Sequence, residues 1–192
     1  IWISEAPPKP FLTKCVKSVK HLHPHWTYRL HRDFTAMYDQ RLGELGEPVR
    51  HFCFDVLGKL GGRGPHSVVA MQTDILRLVL LYLHGGIYLD IDMWSIRRLD
   101  SFVRDKLVLM RITPAIIGEG LIGAEARSDD IKDIIEWYMR QPNVDGYVSM
   151  NLEGLALERG WNAYGSDYFC PHTRTRNDNL YRMTSVTHTI HC

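Results

Sequence analysis

The sequence predicts an α/β fold in which helices flank a mixed central sheet, and three observations carry this prediction. The chain opens with strand-like and helical patterns in alternation. A long apolar helix then runs into a Gly-Gly pair and a short strand, and further strands follow a helix-rich stretch. The predicted strands are residues 1–3, 26–30, 87–89, 107–111, 121–124 and 185–192, and the predicted helices are residues 11–22, 71–84, 130–139 and 149–159.

The first helix is predicted from Phe11, Cys15, Val19 and Leu22, which recur at helical spacing before Pro24 ends the pattern. Before it, three prolines in residues 4–10 indicate an extended loop. After it, residues 33–65 show only short helical pieces and a glycine-rich turn cluster. We interpret that stretch as a mobile connector between the opening strands and the long helix.

The long helix is the clearest element, because Leu76, Val79, Leu80 and Leu83 follow the i, i+3, i+4, i+7 spacing. Its other sides are also apolar, with Ile75, Leu78 and Tyr82, so we expect it to lie in the interior. Gly85 and Gly86 supply the positive φ angles of a helix C-cap. The strand that follows is then expected to carry Asp90 and Asp92 at its tip.

Composition predicts one catalytic domain, residues 1–192, and its strand-like ends are consistent with a piece cut from a longer protein. The formal charge of +1 does not favour a nucleic acid or an anionic membrane as the main partner. The apolar run at residues 78–83 is too short to span a bilayer. The four cysteines lack metal-site spacing, so buried free thiols are expected. The absence of an Asn-x-Ser/Thr sequon slightly favours a cytoplasmic over a Golgi location.

Asp90 and Asp92 form an acidic D-x-D motif directly after an apolar strand. In a strand, residues i and i+2 point to one side, so both carboxylates converge on one cation while Leu89, Ile91 and Met93 face the core. Hard oxygen ligands suit Mg²⁺ or Mn²⁺, which commonly bind substrate phosphates as further ligands. The alternative is that both aspartates are solvated turn residues.

Asp74 and Arg77 lie at i and i+3 in the otherwise apolar long helix, where they share its one polar edge. A surface-type ion pair is one interpretation. The other is functional, because charges in an interior helix are costly unless a partner or ligand satisfies them.

Together, TDILR, an apolar turn and GGIYLDID resemble the DXD sugar-binding region of glycosyltransferase family 32. The resemblance extends to an opening I-W-I strand, to LIGA at residues 121–124 and to a closing T-H-T-I-H segment. It implies a GT-A type, Rossmann-like nucleotide-sugar-binding fold. It also implies metal-dependent transfer of a hexose from a nucleotide-diphosphate sugar to a glycan or other hydroxyl acceptor, with retention.

The resemblance also implies residue roles. Trp2 would stack on the base within a donor site that also includes Ile1, Ile3 and Ile91, and Asp74 and Arg77 would hold the sugar and orient the donor. Asp90 would meet ribose and metal, Asp92 would ligate the metal, and His191 would complete the metal or diphosphate site. Glu119 stands where the family more often has a small amide and is included with Asp74, Arg77 and Asp92 as a candidate catalytic residue.

The implied cofactors are Mn²⁺ or Mg²⁺ and a nucleotide-sugar donor, with UDP-sugars favoured over GDP-sugars. Two other functions remain open. A non-catalytic module would bind a nucleotide-sugar or glycan without turnover. A phosphatase of the haloacid-dehalogenase type would use the first Asp of D-x-D as nucleophile, but here the motif is mid-chain and Trp94 replaces the expected Thr or Val.

Overall fold

The computed structural model describes residues 8–32, 34–59, 65–140, 152–175, 178–181 and 183–192. Its α-helices are α1 (Pro10–Leu22), α2 (Glu47–Lys59), α3 (Pro65–His84), α4 (Asp129–Met139), α5 (Glu153–Arg159) and α6 (Ser166–Phe169). Its strands are β1 (Gly86–Leu89), β2 (Met93–Ser95), β3 (Leu107–Thr113), β4 (Ile116–Ala124), β5 (His172–Thr175), β6 (Asp178–Tyr181) and β7 (Thr189–His191). Short 3₁₀ helices cover Thr35–Tyr38, Gln40–Leu45 and Asp100–Arg104.

The strands form a three-stranded sheet of order β1-β4-β3 and two two-stranded pairs, β2-β7 and β5-β6. We expected a mixed central sheet; the ladders in the described part of the chain are antiparallel, and a parallel bridge joins Met110 to Tyr164. In the central sheet, Leu89 at the end of β1 pairs with Leu121 of β4. This register places the loop after β1 beside the middle of β4.

Helix α3 lies in the main hydrophobic core, as its apolar pattern predicted. Residues 74–83 of this helix are buried on every side, including Leu76, Val79 and Leu80. The core also includes side chains from α2, α4 and β4. A second core cluster centres on Phe102 and Phe169. Their ring centroids lie 4.9 Å apart in an edge-to-face contact. Within the described residues, none of the helices combines the length and apolar character needed to cross a bilayer.

The predicted strand at residues 26–30 is wrong, because this segment is irregular. Side-chain contacts around Trp26 hold this segment in place, where a strand would have used backbone hydrogen bonds to a neighbouring strand. The Trp26 ring packs 4.1 Å from the His23 ring, and its Nε1–H donates to Asp100 at 3.2 Å. His23 Nε2 in turn accepts the Leu99 N–H at 2.7 Å.

The short helical pieces predicted within residues 33–65 are confirmed over the described part, but this stretch packs into the main core and is more than a connector. Residues 34–59 contain two 3₁₀ helices and the 13-residue helix α2, which extends through Gly58 of the predicted turn cluster. Met37, Leu42 and Cys53 from this stretch are fully buried in the main core. The apolar residues are too irregularly spaced for periodicity to show a helix, yet they pack against α3.

Several helices and strands also begin or end at residues other than those predicted. Phe11 is 46% exposed, and Leu12 takes its place on the buried face of α1. The long helix begins six residues earlier than expected, at Pro65, and β4 begins at Ile116. The helix predicted from residue 149 is described from Glu153, and the last strand is confined to β7. Residues 1–3, 60–64 and 149–151 lie outside the described part of the chain.

Gly85 ends α3 in the left-handed region, with φ of +64°, while its N–H donates to Leu81 O at 2.7 Å. A Cβ at this position would lie 2.5 Å from the backbone nitrogen of Ala126. We expect Gly85→Ala to lower the free energy of unfolding by at least about 2 kcal/mol, because it adds left-handed strain to a backbone clash. Chemical denaturation measures this loss.

Gly154→Ala is the matched control for that substitution. Gly154 lies on the exposed side of α5, and nothing lies within 4 Å of an added Cβ. Alanine there is expected to raise the free energy of unfolding by about 0.5–1 kcal/mol. Equal effects at the two glycines would contradict the assigned geometry of Gly85.

Candidate metal and sugar-donor site

The two aspartates of the D-x-D motif lie in the turn between β1 and β2. The Asp90 N–H donates to Gly120 O at 2.8 Å, and the Met93 N–H donates to Asp90 O at 3.0 Å, which closes a tight turn. Our prediction that both aspartates continue the strand is therefore wrong. Their side chains converge because the chain turns after Leu89, and not through the i, i+2 alternation of a strand.

His191 reaches this turn through the pairing of β7 with β2, which places it opposite Met93. Its Nε2 lies 3.2 Å from Asp92 Oδ1, and the next residue, Cys192, donates its N–H to Asp92 O at 3.1 Å. One ligand atom each from Asp90, Asp92 and His191 lie within 4.8 Å of one another. Two carboxylates and an imidazole at this spacing can hold a divalent cation.

Asp74 and Arg77 form a buried ion pair beside the turn. Arg77 Nη2 donates to Asp74 Oδ1 at 2.7 Å, and the two side chains are only 7% and 6% exposed. Arg77 Nη1 donates to the backbone oxygen of Glu119 at 2.8 Å and lies 3.5 Å from Asp90 Oδ1. The surface-type interpretation of this pair is therefore wrong: Arg77 links α3, β4 and the D-x-D turn.

Tyr88 links the ion pair to the D-x-D motif, and we predicted no role for it from the sequence. Its hydroxyl donates to Asp90 Oδ1 at 2.7 Å, and the Arg77 guanidinium carbon lies 4.9 Å from its ring centroid. Strand alternation could have indicated that these two side chains lie close together, because Tyr88 precedes Asp90 by two residues. The hydrogen bond orients the Asp90 carboxylate before any ligand binds.

Burial and the neighbouring opposite charge shift the pKa values of Asp74 and Arg77 in opposite directions. Burial raises the pKa of Asp74 to about 6, although Arg77 opposes the shift and Asp90 reinforces it. For Arg77, burial by itself lowers the pKa, but Tyr88, Asp90 and Asp74 outweigh it and the pKa is raised. With the guanidinium permanently charged and 2.7 Å away, we describe Asp74 and Arg77 as an ion pair at neutral pH.

The Asp92–His191 contact shifts both groups toward their charged forms. Burial would raise the pKa of Asp92, but the hydrogen bond and charge of His191 bring it below its usual range. Hydrogen bonds with Asp92 and then Cys170 raise the pKa of His191 to about 10, against burial. His191 is therefore protonated at neutral pH without a cation, and a metal that binds it must displace that proton.

These shifts predict how the contact contributes to stability as pH changes. The raised pKa of His191 means that its contribution is fully present below about pH 6.5 and is lost as pH rises toward about 10. The lowered pKa of Asp92 means that the contribution is also lost in acid, below the usual value of 3.8. In chelator-treated protein, we expect the difference in melting temperature between wild type and His191→Gln to be largest near about pH 5.5.

The control for this prediction is His51→Gln, which affects a histidine whose side chain is 76% exposed. Its effect on melting temperature is expected to stay small throughout the range. A His191→Gln difference that does not change between about pH 5.5 and 10 would contradict the assigned ion pair.

A groove of about 740 Å³ opens beside the turn. Asp90 and Ile91 lie at its wall, and Lys20 and Arg29 bring positive charge to it. The Lys20 ammonium lies 4.6 Å from the centroid of the Tyr28 ring, which also lines the groove. A groove that joins aromatic rings, cations and an acidic metal-type cluster suits a ligand with a base and a diphosphate.

The structure thus brings together five of the predicted site residues: Asp74, Arg77, Asp90, Asp92 and His191. Glu119 contacts this group through its backbone oxygen, and among the described residues its carboxylate is outside the Asp-Asp-His cluster. The predicted donor residues Ile1, Trp2 and Ile3 lie outside the described residues.

Comparisons with known proteins agree with this geometry. A family model described as "Glycosyltransferase sugar-binding region containing DXD motif" matches residues 11–109, just over half of the chain. The chain is similar to "Glycosyltransferase afumC" of Aspergillus fumigatus, with 35% identity over 83 residues, or 43% of this chain and 20% of that protein. It therefore spans about a fifth of the length of that curated relative.

Among solved structures, the chain is similar to one described as "PaToxG Glycosyltransferase". The TM-score is 0.57 at 16% sequence identity, and the match covers 83% of this chain and 66% of that chain. At this level of identity the likeness concerns the fold alone. It confirms the predicted α/β fold of GT-A type.

Proposed function

This chain belongs to the family of glycosyltransferase sugar-binding regions that contain a DXD motif, and on that premise we propose that it is a metal-dependent hexosyltransferase. The proposed reaction moves a hexose from a nucleotide-diphosphate sugar to a glycan or other hydroxyl acceptor. The observation that carries the proposal is the Asp90–Asp92–His191 cluster, which adjoins both the groove and the buried Asp74–Arg77 pair. Because the resemblance to family 32 extends over nearly the whole chain, we also propose that residues 1–192 form a single catalytic domain.

The donor set fits Mn²⁺, with Mg²⁺ as the alternative. Carboxylate oxygens from Asp90 and Asp92 suit both ions, and the imidazole of His191 favours the softer Mn²⁺. When bound, such a cation supplies Lewis-acid neutralisation of the charge on the leaving diphosphate. Because His191 must lose its proton to become a ligand, Mn²⁺ affinity should increase as pH rises.

The groove supports the choice of a nucleotide-sugar as donor. Asp90 belongs to both the groove wall and the acidic cluster, so a diphosphate near the cluster would place the rest of the nucleotide along the groove. Lys20 and Arg29 offer countercharge there, and Tyr28 offers an aromatic surface. A UDP-sugar is our favoured donor over a GDP-sugar. From the resemblance to family 32, we propose that Ile1, Trp2 and Ile3 also take part in binding the base.

Asp74 and Arg77 are proposed to bind the sugar and orient the donor. Their buried, mutually hydrogen-bonded side chains are held before binding, which lowers the entropy cost of positioning the donor. Glu119 is proposed to act on the sugar side because its backbone is fixed to Arg77. We assign no carboxylate as a covalent nucleophile, and propose front-face transfer with retention in which the departing phosphate accepts the acceptor's proton. An inverted anomeric product, detected by NMR, would exclude this mechanism.

The function is tested by calorimetric titration of UDP-glucose and GDP-mannose, with and without Mn²⁺, followed by measurement of nucleotide diphosphate release. Mn²⁺-dependent binding with slow donor hydrolysis would support a transferase and identify the base. Binding without release would instead indicate a non-catalytic module. Binding that does not depend on a divalent cation would exclude the role proposed for the acidic cluster.

A further inference from the structure

Positive charge in this chain is concentrated near its N-terminal end. Residues 8–32 contain six Lys and Arg side chains and no Asp or Glu, although the whole chain has 23 basic and 22 acidic residues. The formal total of +1, which did not favour an anionic membrane, therefore hides a separation of charge along the chain. The remaining residues include more acidic than basic side chains.

Helix α1 presents part of this charge on one side. Lys14, Lys17 and His21 follow the i, i+3, i+7 spacing of a single helix face, and all three are exposed. The opposite face is buried through Leu12 and Val19. We call the exposed surface formed by Lys14, Lys17 and His21 the basic face. It extends along a 13-residue helix, which is about 20 Å long.

Phe11 lies beside the basic face, one helical turn before Lys14. Its side chain is 46% exposed, and within the described residues it belongs to neither core cluster. The apolar face of α1 packs inside the protein, so Phe11 is the large apolar side chain that this helix leaves at the surface. Lysines together with an exposed aromatic ring are typical of helices that lie at a membrane surface.

Neighbouring carboxylates do not neutralise the lysines of the basic face. On α4, Lys132 lies 4.0 Å from Glu136. In the part of the chain that the structure describes, neither Lys14 nor Lys17 forms an ion pair with a carboxylate. Helix stability does not explain this arrangement, because the first turn of α1 has no acidic residue, where one would be favourable. The charge is therefore available to an anionic partner outside the chain.

The basic face is a preformed surface, because contacts at its back and at its end hold α1 in place. The Ser18 hydroxyl accepts the Ser95 N–H at 2.9 Å, which joins α1 to β2. Directly after the helix, His23 Nε2 accepts the Leu99 N–H at 2.7 Å. A partner that binds this surface does not have to order the helix first, which lowers the entropy cost of binding.

We propose that the basic face and Phe11 bind the surface of a bilayer that contains anionic phospholipids. Lys14 and Lys17 lie against the lipid headgroups, and the Phe11 ring enters the boundary between headgroups and acyl chains. Lysine suits this role because its compact charge pairs with phosphates that have no fixed arrangement. An acidic protein would use the lysines and leave Phe11 without a role. Membrane binding goes beyond the proposed transferase function and does not depend on it.

Co-sedimentation with vesicles tests this proposal. The chain is mixed with vesicles of phosphatidylcholine alone or with about 30% phosphatidylserine, at about 50 and 500 mM NaCl. Binding is expected for the anionic vesicles at low salt. It should be at least about 10-fold weaker at high salt and for phosphatidylcholine alone, because the lysines interact with lipid charge. No binding to anionic vesicles at low salt, or equal binding to both compositions, would overturn the proposal.

Charge reversal locates the binding surface. Lys14→Glu/Lys17→Glu is expected to weaken binding to anionic vesicles at least about 30-fold. Lys132→Glu/Arg140→Glu is the matched control, because it changes the net charge equally on α4, which packs in the main core, and it should bind like the wild type. Equal losses in the two double variants would show that net charge alone causes binding, and would exclude the basic face. Melting temperatures establish that both variants are folded.

Phe11→Ser and soluble polyglutamate distinguish a bilayer from an acidic protein as the partner. The substitution should weaken binding to anionic vesicles about 5-fold, because it removes the apolar side chain that enters the bilayer. Polyglutamate at the same concentration of negative charge should bind at least about 10-fold more weakly than the vesicles. Equal affinity for polyglutamate and vesicles, or unchanged vesicle binding in Phe11→Ser, would assign the face to a soluble acidic partner and contradict the proposal.

Discussion

Replacing Asp92 by asparagine is expected to lower kcat/KM for donor turnover at least about 100-fold at fixed Mn²⁺ concentration, equivalent to about 2.7 kcal/mol. Asp92 is the aspartate that lies 3.2 Å from His191 within the acidic cluster. Asparagine keeps the side-chain size and leaves the Cys192 N–H bond to the backbone of residue 92 intact. The change therefore removes a charge from the proposed metal site and from the ion pair with His191, while the side-chain size is kept.

Asp133→Asn is the control, because it removes the charge of a surface contact with Arg159 at 3.4 Å. Turnover is expected to remain at the wild-type level there. A titration of Mn²⁺ alone separates metal binding from chemistry: affinity should fall in Asp92→Asn and not in Asp133→Asn. Unchanged Mn²⁺ affinity and turnover in Asp92→Asn would remove Asp92 from the metal site.

Replacing Arg77 by methionine is expected to lower the free energy of unfolding by about 3–5 kcal/mol, because it leaves the Asp74 carboxylate buried without a countercharge. The substitution also removes the hydrogen bond to Glu119 O and the contact with Asp90. Burial already raises the pKa of Asp74 to about 6, and removal of Arg77 takes away an opposing influence. Denaturant titration near neutral pH measures the loss.

Two further variants show whether buried charge causes that loss. Arg98→Met is the matched control, since Arg98 contacts Asp100 at the surface with a side chain that is 61% exposed, and no measurable change is expected. The double variant Asp74→Asn/Arg77→Met removes both charges and should recover part of the stability of the single variant. A double variant no more stable than Arg77→Met would show that lost packing, and not unpaired charge, causes the effect.

The elements predicted well from sequence are those whose signal is local. α3 was predicted because it is apolar at consecutive helical positions, and its end was predicted because Gly85 and Gly86 tolerate positive φ. Segments with weaker periodicity were misjudged. α2 mixes polar and apolar residues irregularly, while residues 26–30 have the alternation of a strand without a described ladder. Tertiary packing overrides local preference in both segments.

By itself, the sequence determined the α/β class, the buried helix with its Asp74–Arg77 pair and the pair of aspartates at the end of a short strand, because these depend on residues close together in the chain. Only the tertiary structure decided that Arg77 reaches Asp90 through the turn after β1, and that Tyr88 orients the same carboxylate. It also decided that β7 brings His191 to Asp92. Strand pairing and side-chain burial join distant positions, and no local pattern encodes which distant position a residue will meet.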